Sequence, residues 1–218
     1  MDDAEQAQVY AAADFDAGDA MVVERILAGC GAAGAGPLLL DLGCGPGNIS
    51  FRLAEHCPTS AVLGLDGAEA MLAIARERQQ QAAPRWPNLQ FRCLSLPLTA
   101  AAAAELGGRA SAVVSNSLLH HLHDPTVLWR SVQQLAAPGA LVHVHDLRRP
   151  SDTAALERLV QAQAGSFPPI LLRDYRASLQ AAFRPAEVEA QLQACGLLSL
   201  QVRAVGDSHL EVSGRLAS

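Results

Sequence analysis

The sequence predicts an α/β fold in which helices cover a mostly parallel β-sheet. Three observations carry this. Short apolar runs that read as strands buried on both faces alternate five times with helical segments. Each connection between them is long enough for a helical crossover, which makes neighbouring strands parallel. A Gly-rich turn closes the first strand and leads directly into a helix.

The elements follow in order. Residues 3–13 and 18–29 read as helices, and residues 31–36 as a flexible Gly/Ala joint. The run 38–42 is the first strand, followed by a helix over 48–56. A second strand, 61–65, ends at Asp66. Residues 68–82 are a helix of good formers, stopped by Pro84 and Pro87. The run 89–93 is the third strand, 97–106 leads through a helix to Gly107-Gly108, and 110–115 is the fourth strand. Asp124 reads as the N-cap of the next helix with Pro125 at its first position. Pro138-Gly139 turns that helix into a fifth strand, 140–145. Beyond Pro150, helices are expected over 151–164, 171–182 and 185–195, with Gly196 at the C′ position. Two final strands, 197–205 and 209–216, are joined tightly by Gly206-Asp207-Ser208, which makes them antiparallel.

Composition narrows the partners. The chain has 218 residues, 50% apolar, with a net charge of −6. That is one domain with a full core, too apolar for intrinsic disorder. All 16 basic residues are arginines, and they are scattered. Without a basic stripe the chain is a poor ligand for nucleic acid or an anionic membrane. Nine aromatics are too few for a base-stacking platform. Cys30, Cys44, Cys57, Cys93 and Cys195 form no CxxC pair, which fits a reducing cytoplasm rather than a disulfide framework or zinc finger. The acidic N-terminus has no apolar signal region, and no apolar run approaches about 18 residues. The expected partner is a small molecule, and the expected state a cytoplasmic monomer or homodimer.

The chemistry starts at Asp41-Leu42-Gly43-Cys44-Gly45-Pro46-Gly47-Asn48. Glycines at 43, 45 and 47 let the backbone turn sharply and approach a ligand, and the helix beyond offers free N–H groups. A dinucleotide turn needs G-x-G-x-x-G, but Asn48 holds the sixth position here. Asp41 would repel a pyrophosphate and accept hydrogen bonds from an ammonium group. The pattern therefore favours a ligand with an amino-acid tail. Asp66, 23 residues after Gly43, can accept two hydrogen bonds from vicinal ribose hydroxyls or cap the helix starting near Ala68. The two roles are compatible.

Residues 38–50 (LLLDLGCGPGNIS) resemble motif I of class I S-adenosylmethionine-dependent methyltransferases. Residues 62–72 (VLGLDGAEAML) resemble their second motif, and 111–125 (SAVVSNSLLHHLHDP) the segment after strand 4 in the small-molecule branch. The resemblance covers about the first 150 residues, and the hairpin at 197–216 is similar to the family's closing strands. It implies a Rossmann-like three-layer αβα sandwich. The seven-stranded sheet would have order 3-2-1-4-5-7-6 with strand 7 antiparallel. S-adenosyl-L-methionine would lie across the carboxyl ends of strands 1 to 4, with S-adenosyl-L-homocysteine as product.

Carried over by position, Asp41, Gly43 and Gly45 would hold the methionine moiety and Asp66 the ribose, with Cys44 and Asn48 also at the cofactor. Gly67, Met71, Leu94, Ser95 and Leu96 would line the adenine. Ser95 or Leu94 stands where the family often has an acid, and Ser111 where it usually has Asp. Asn116, Ser117 and His121 would border the methionine side, and Tyr10 would lie over the cofactor. Residues 1–218 would be a single domain with an N-terminal helical lid, about 1–30, and a helical insertion, about 151–195, capping the acceptor. Phe167, Arg173, Tyr175 and Arg176 are candidate acceptor contacts, or else a helical face packed on the core. Five of the nine aromatics fall in these two segments, which concentrates rings around a small-molecule pocket.

For the transfer step, His120 and His121 stand just beyond strand 4 and Asp146 ends strand 5. A histidine oriented by an acid can take the proton of a hydroxyl acceptor. Inward packing as a structural histidine is the competing role. His143 and His145 share one strand face but have no HExxH and no cysteine partner, so no metal is expected. O-methylation of a small molecule is the favoured activity. The alternatives are an NAD(P)-dependent oxidoreductase and a cofactor-binding protein without catalysis.

Overall fold

The computed structural model describes residues 4–217; the acidic start Met1, Asp2 and Asp3, and Ser218, lie outside the described residues. The strands are β1 (Leu38–Leu42), β2 (Ala61–Asp66), β3 (Leu89–Cys93), β4 (Ala110–Asn116), β5 (Ala136–Leu147), β6 (Gln201–Val205) and β7 (His209–Arg215). They form one sheet in the order β3-β2-β1-β4-β5-β7-β6. Pairs from β3 to β5 are parallel, and β7 runs antiparallel to both β5 and β6. This is the Rossmann-like sandwich expected above.

Alternation along each strand decides which side chains meet which layer. Leu40, Leu42, Val113, Val142 and Val144 pack in one cluster with Leu128, Trp129 and Val132 of α6 (Thr126–Leu135) and with Val188 and Leu192 of α9 (Pro185–Ala194). On the other face, Leu39, Val62, Ala112, Val114 and Leu141 meet Val22, Val23 and Ile26 of α2 (Asp16–Cys30) and Ile49 and Leu53 of α3 (Asn48–His56). Asp41 shares its face with Leu39, and His143 and His145 share theirs with Leu141. Asp41 of β1 and His143 and His145 of β5 therefore point under α2 and α3.

The remaining helices are α1 (Ala4–Ala12), α4 (Glu69–Gln81), α5 (Ala100–Leu106), α7 (Thr153–Gln163) and α8 (Pro169–Ala181). Helix α1 packs on α4 and α8, and α7 packs on α8. Leu156, Val160, Leu179 and Ala182 close a small separate cluster against Leu147. Helices α1, α7 and α8 are thereby brought together at the same end of the sheet.

Several boundaries differ from expectation for physical reasons. The fifth strand does not start after Pro138-Gly139; β5 runs through them from Ala136. The ladder to β4 shifts between the pairs Ala110↔Ala136 and Ala112↔Leu141, an irregularity that accommodates three extra residues of β5. The sixth strand begins at Gln201 rather than 197, because Leu197 and Leu200 turn inward as core residues behind Gly196. Helix α6 begins at Thr126, one residue late, although the Asp124 carboxylate still accepts from the Thr126 amide at 3.0 Å.

Candidate active site

The Gly-rich turn after β1 is built for close approach. Gly43 has φ +70°, and a Cβ there would stand 2.9 Å from Leu118. Gly47 has φ +89° and is packed against Phe91 and Phe51. Gly45, φ +53°, faces open space. The amides of Gly43 and Cys44 both donate to the Leu65 carbonyl, at 2.7 and 3.1 Å, which locks the turn onto the end of β2.

The turn borders a cavity of about 1130 Å³ at the carboxyl ends of β1, β2, β4 and β5. Tyr10, Asp41, Gly43, Cys44, Gly45, Asn48, Asp66, Met71, Asn116, Ser117, His120 and His121 all line it. Gly67, Leu94, Ser95 and Leu96 do not; they line an adjoining space of about 280 Å³. Gly43, Asp66, Ala68 and Leu118 border both. The two groups of sequence-expected residues are thus separated at Asp66.

Asp41 is buried, and its Oδ2 accepts from the Ser50 hydroxyl at 2.6 Å. Burial, with the charges of Asp66 and Asp19 adding, lifts its pKa to about 7 against the partial relief of the Ser50 hydrogen bond. Asp66 uses both oxygens locally: Oδ1 accepts from the Ala68 amide and Oδ2 from the Gly45 amide, each at 2.8 Å. It therefore ties the turn to the start of α4, and its remaining lone pairs border the cavity. Asn48 is held by both ends, donating to Asp19 at 3.0 Å and accepting from Arg78 at 2.7 Å.

On the far wall, His120 Nδ1 lies 2.6 Å from Asp146 Oδ1 with both side chains buried. Asp146 is fixed in turn: Oδ2 accepts from the Leu119 amide at 2.7 Å and Oδ1 from the Leu147 amide at 2.8 Å. The His121 ring lies 4.0 Å from that of His120. His121 is exposed by surface area but sits in the cavity mouth, where protein replaces bulk water on most sides. There its pKa falls to about 4 through desolvation, with His120 adding. Asn116 Oδ1 is 3.2 Å from His145 Nδ1. Ser117 has φ +59° and donates its amide to the His145 carbonyl at 2.9 Å.

The roof is aromatic. Tyr10 contacts Phe15 at 5.0 Å between centroids, Phe15 contacts Phe167 at 6.0 Å, and Phe167 meets Tyr175 edge-on at 5.7 Å. All four line the cavity. Burial and the carboxylates of Asp19, Asp146 and Asp66 raise the Tyr10 pKa, so its hydroxyl stays protonated. Arg173 and Arg176 correct the sequence reading. They bind Asp174 and Glu157 and do not line the cavity. Their spacing of three puts them on one helix face, turned from the pocket.

Sequence reasoning missed Asp19, His145, Ser208 and His209, all on the cavity wall. Asp19 carried a signal: it is the one acid in the buried stripe of α2 with Val22, Val23, Ile26 and Cys30. Burial raises its pKa to about 6. His145 and His209 stack at 4.7 Å, and burial drives the His145 pKa to about 3. Their pairing depends on the β5–β7 register and leaves no local pattern. Among the described residues, no group of three or more His, Cys, Asp or Glu is placed to hold a metal, and no helix is long and apolar enough to cross a membrane.

Residues 40–142 match the family model described as a methyltransferase domain. Among curated proteins, the chain is 30% identical over 173 residues to the ubiquinone biosynthesis O-methyltransferase of Azotobacter vinelandii, covering 79% of this chain and 67% of that protein. It is 35% identical over 133 residues to the trans-aconitate 2-methyltransferase of Methylobacterium radiotolerans, covering 60% and 45%. The chain spans only 17% and 59% of the length of two others, from Variovorax paradoxus and Sinorhizobium fredii. A similar solved structure is an S-adenosylmethionine-dependent methyltransferase from Aquifex aeolicus, with TM-score 0.68, 17% identity and 97% and 98% of the two chains covered. The chain belongs to the class I S-adenosylmethionine-dependent methyltransferases. That family uses S-adenosyl-L-methionine as its methyl donor.

Proposed function

We propose that the protein methylates a hydroxyl group of a small-molecule acceptor, with His120 as the base. The buried His120–Asp146 pair at 2.6 Å carries this reading, because a hydroxyl is a poor nucleophile until its proton is taken away, whereas a carboxylate acceptor is already ionised. The ubiquinone-pathway relatives are named as O-methyltransferases, which supports the same choice.

The cavity suits the cofactor on its chemistry. Asp41 offers a carboxylate with only Ser50 on it, ready for an ammonium group. Gly45 leaves room where any side chain would stand in the ligand's space. Asp66 has lone pairs left for a ribose diol. Met71 lies beside it, and Gly67, Leu94, Ser95 and Leu96 surround a space suited to a flat base. Cys44 and Asn48 shape the methionine end with Asn116 and Ser117. Bound S-adenosyl-L-methionine would supply an electrophilic methyl on a sulfonium.

The protein's own residues orient and deprotonate. Asp146 accepts from Nδ1–H of His120, which leaves Nε2 as the basic nitrogen. Asp146 also stabilises the imidazolium that forms when that nitrogen takes a proton. His121, with its pKa near 4, is a weak base and serves as wall. Holding acceptor and donor in line supplies much of the rate in a displacement of this kind. Helices α1 and α2 act as the lid, and α7 and α8 as the acceptor wall.

The experiment is His120→Gln, assayed by mass spectrometry for methyl transfer to a panel of hydroxylated and amino acceptors. The expected result is a kcat lowered about 10²–10⁴-fold, with S-adenosylhomocysteine affinity unchanged by calorimetry. Undiminished turnover would remove His120 as the base. Cofactor binding with no methylation of any acceptor would favour a binding protein without chemistry.

A further inference from the structure

We infer that the acceptor is an electrically neutral, ring-bearing hydroxyl compound of the phenol class, and that the pocket rejects carboxylate and phosphate acceptors. This rests on the hydroxyl-methylation reading and adds a charge and a shape to it.

The charge follows from what lines the cavity. The chain has 16 arginines and no lysine. Among the described residues, no arginine borders the cavity and six aspartates do. Anion sites are built from guanidinium or ammonium groups, which match the planar oxygens of carboxylates and phosphates. The arginines nearest the rim are already used: Arg52 on Asp16, Arg173 on Asp174, and Arg78 on Asn48 and the Pro46 carbonyl. Of the lining histidines, His121, His145 and His209 are held below their ordinary range by burial, and His120 is already committed to Asp146 at 2.6 Å. An acceptor with a fixed negative charge would be desolvated beside carboxylates with nothing to pair with.

The same wall does not favour a cation. The rim aspartates Asp16 and Asp174 are each paired with an arginine, and Asp14 accepts from the Asp16 amide. Asp41 and Asp19 lie at the cofactor end, beside the Gly-rich turn. At the α8 end rings and aliphatic side chains, Phe15, Phe167, Tyr175, Ile170 and Leu171, line the cavity beside the polar Gln163, Asp174 and Ser178. Edge-on and tilted aromatic contacts leave flat ring surfaces on which another ring stacks. A cavity of about 1130 Å³ holds a cofactor and a second small molecule together.

The test is calorimetry on the full chain saturated with S-adenosylhomocysteine, using three matched probes. Methyl 4-hydroxybenzoate is neutral, 4-hydroxybenzoate carries a carboxylate, and tyramine carries an ammonium. The neutral ester should bind at least about tenfold tighter than either ion. Ile170→Arg should narrow or reverse the preference over the carboxylate while leaving S-adenosylhomocysteine affinity unchanged. Equal or tighter binding of the carboxylate or of tyramine, or binding of no probe, overturns the inference. Preferential binding of the ester without methyl transfer from S-adenosylmethionine supports the charge selection and rejects the hydroxyl-methylation reading, so the two fail separately.

Discussion

Asp41 illustrates a residue whose cost to the fold equips it for binding. Its pKa in the folded chain is about 7 against an ordinary 3.8, so between those values the folded state holds a proton that the unfolded state has lost. Stability therefore falls as pH rises through this window, and above pH 7 the ionised group costs roughly 3–5 kcal/mol. Asp41→Asn should raise the melting temperature of the ligand-free protein by several degrees at pH 8 and hardly at all at pH 5, read by differential scanning fluorimetry. The same variant should weaken S-adenosylhomocysteine binding. In the unmodified protein that affinity should rise by up to tenfold per pH unit below about 7 and then level off, because an ammonium ligand needs the ionised carboxylate. Calorimetry in buffers of different ionisation enthalpy would detect the proton released, and Asp41→Asn should reduce that release.

At the scale of an element, the turn between β1 and α3 is where backbone conformation matters most. Gly43 combines a left-handed φ with a Leu118 side chain 2.9 Å from where a Cβ would stand. Gly43→Ala should therefore destabilise the protein by about 1–3 kcal/mol and displace Leu118, which borders both cavities. Urea denaturation measures the first effect and S-adenosylhomocysteine affinity the second. Gly45→Ala has no such clash, so its expected loss falls on affinity more than on stability. A larger stability loss at Gly45 than at Gly43 would contradict this account of the turn.

The whole molecule brings helices from two distant parts of the chain, α1 with the start of α2 and the end of α7 with α8, over one end of the sheet. A ligand bound there would link them further, adding to the contact of α1 with α8. At one hundred times its dissociation constant, S-adenosylhomocysteine should stabilise the folded state by about 2.7 kcal/mol, which is about 5–10 °C for a chain of this size. NADH should produce no shift. A shift with NADH and none with S-adenosylhomocysteine would reinstate the dinucleotide alternative.

Local pattern alone determined the order of strands and helices, the Gly-rich turn with Asp41, and the acid ending β2. These are set by short-range rules: buried runs, positive-φ glycine, and a carboxylate at a strand end. The neighbouring segment 111–125 likewise pointed to His120 before any contact was known. Tertiary structure decided the rest. Asp66 was readable as a ribose or cap residue, but its hold on the Gly45 amide exists only because β1 and β2 lie side by side. Arg173 and Tyr175 are two apart in sequence, and only the docking of α8 sends one to solvent and the other to the cavity. Asp19, His145 and His209 became wall residues through the packing of α2 and the antiparallel entry of β7. Such positions are fixed by contacts between residues far apart in the chain, whose partners no local window contains.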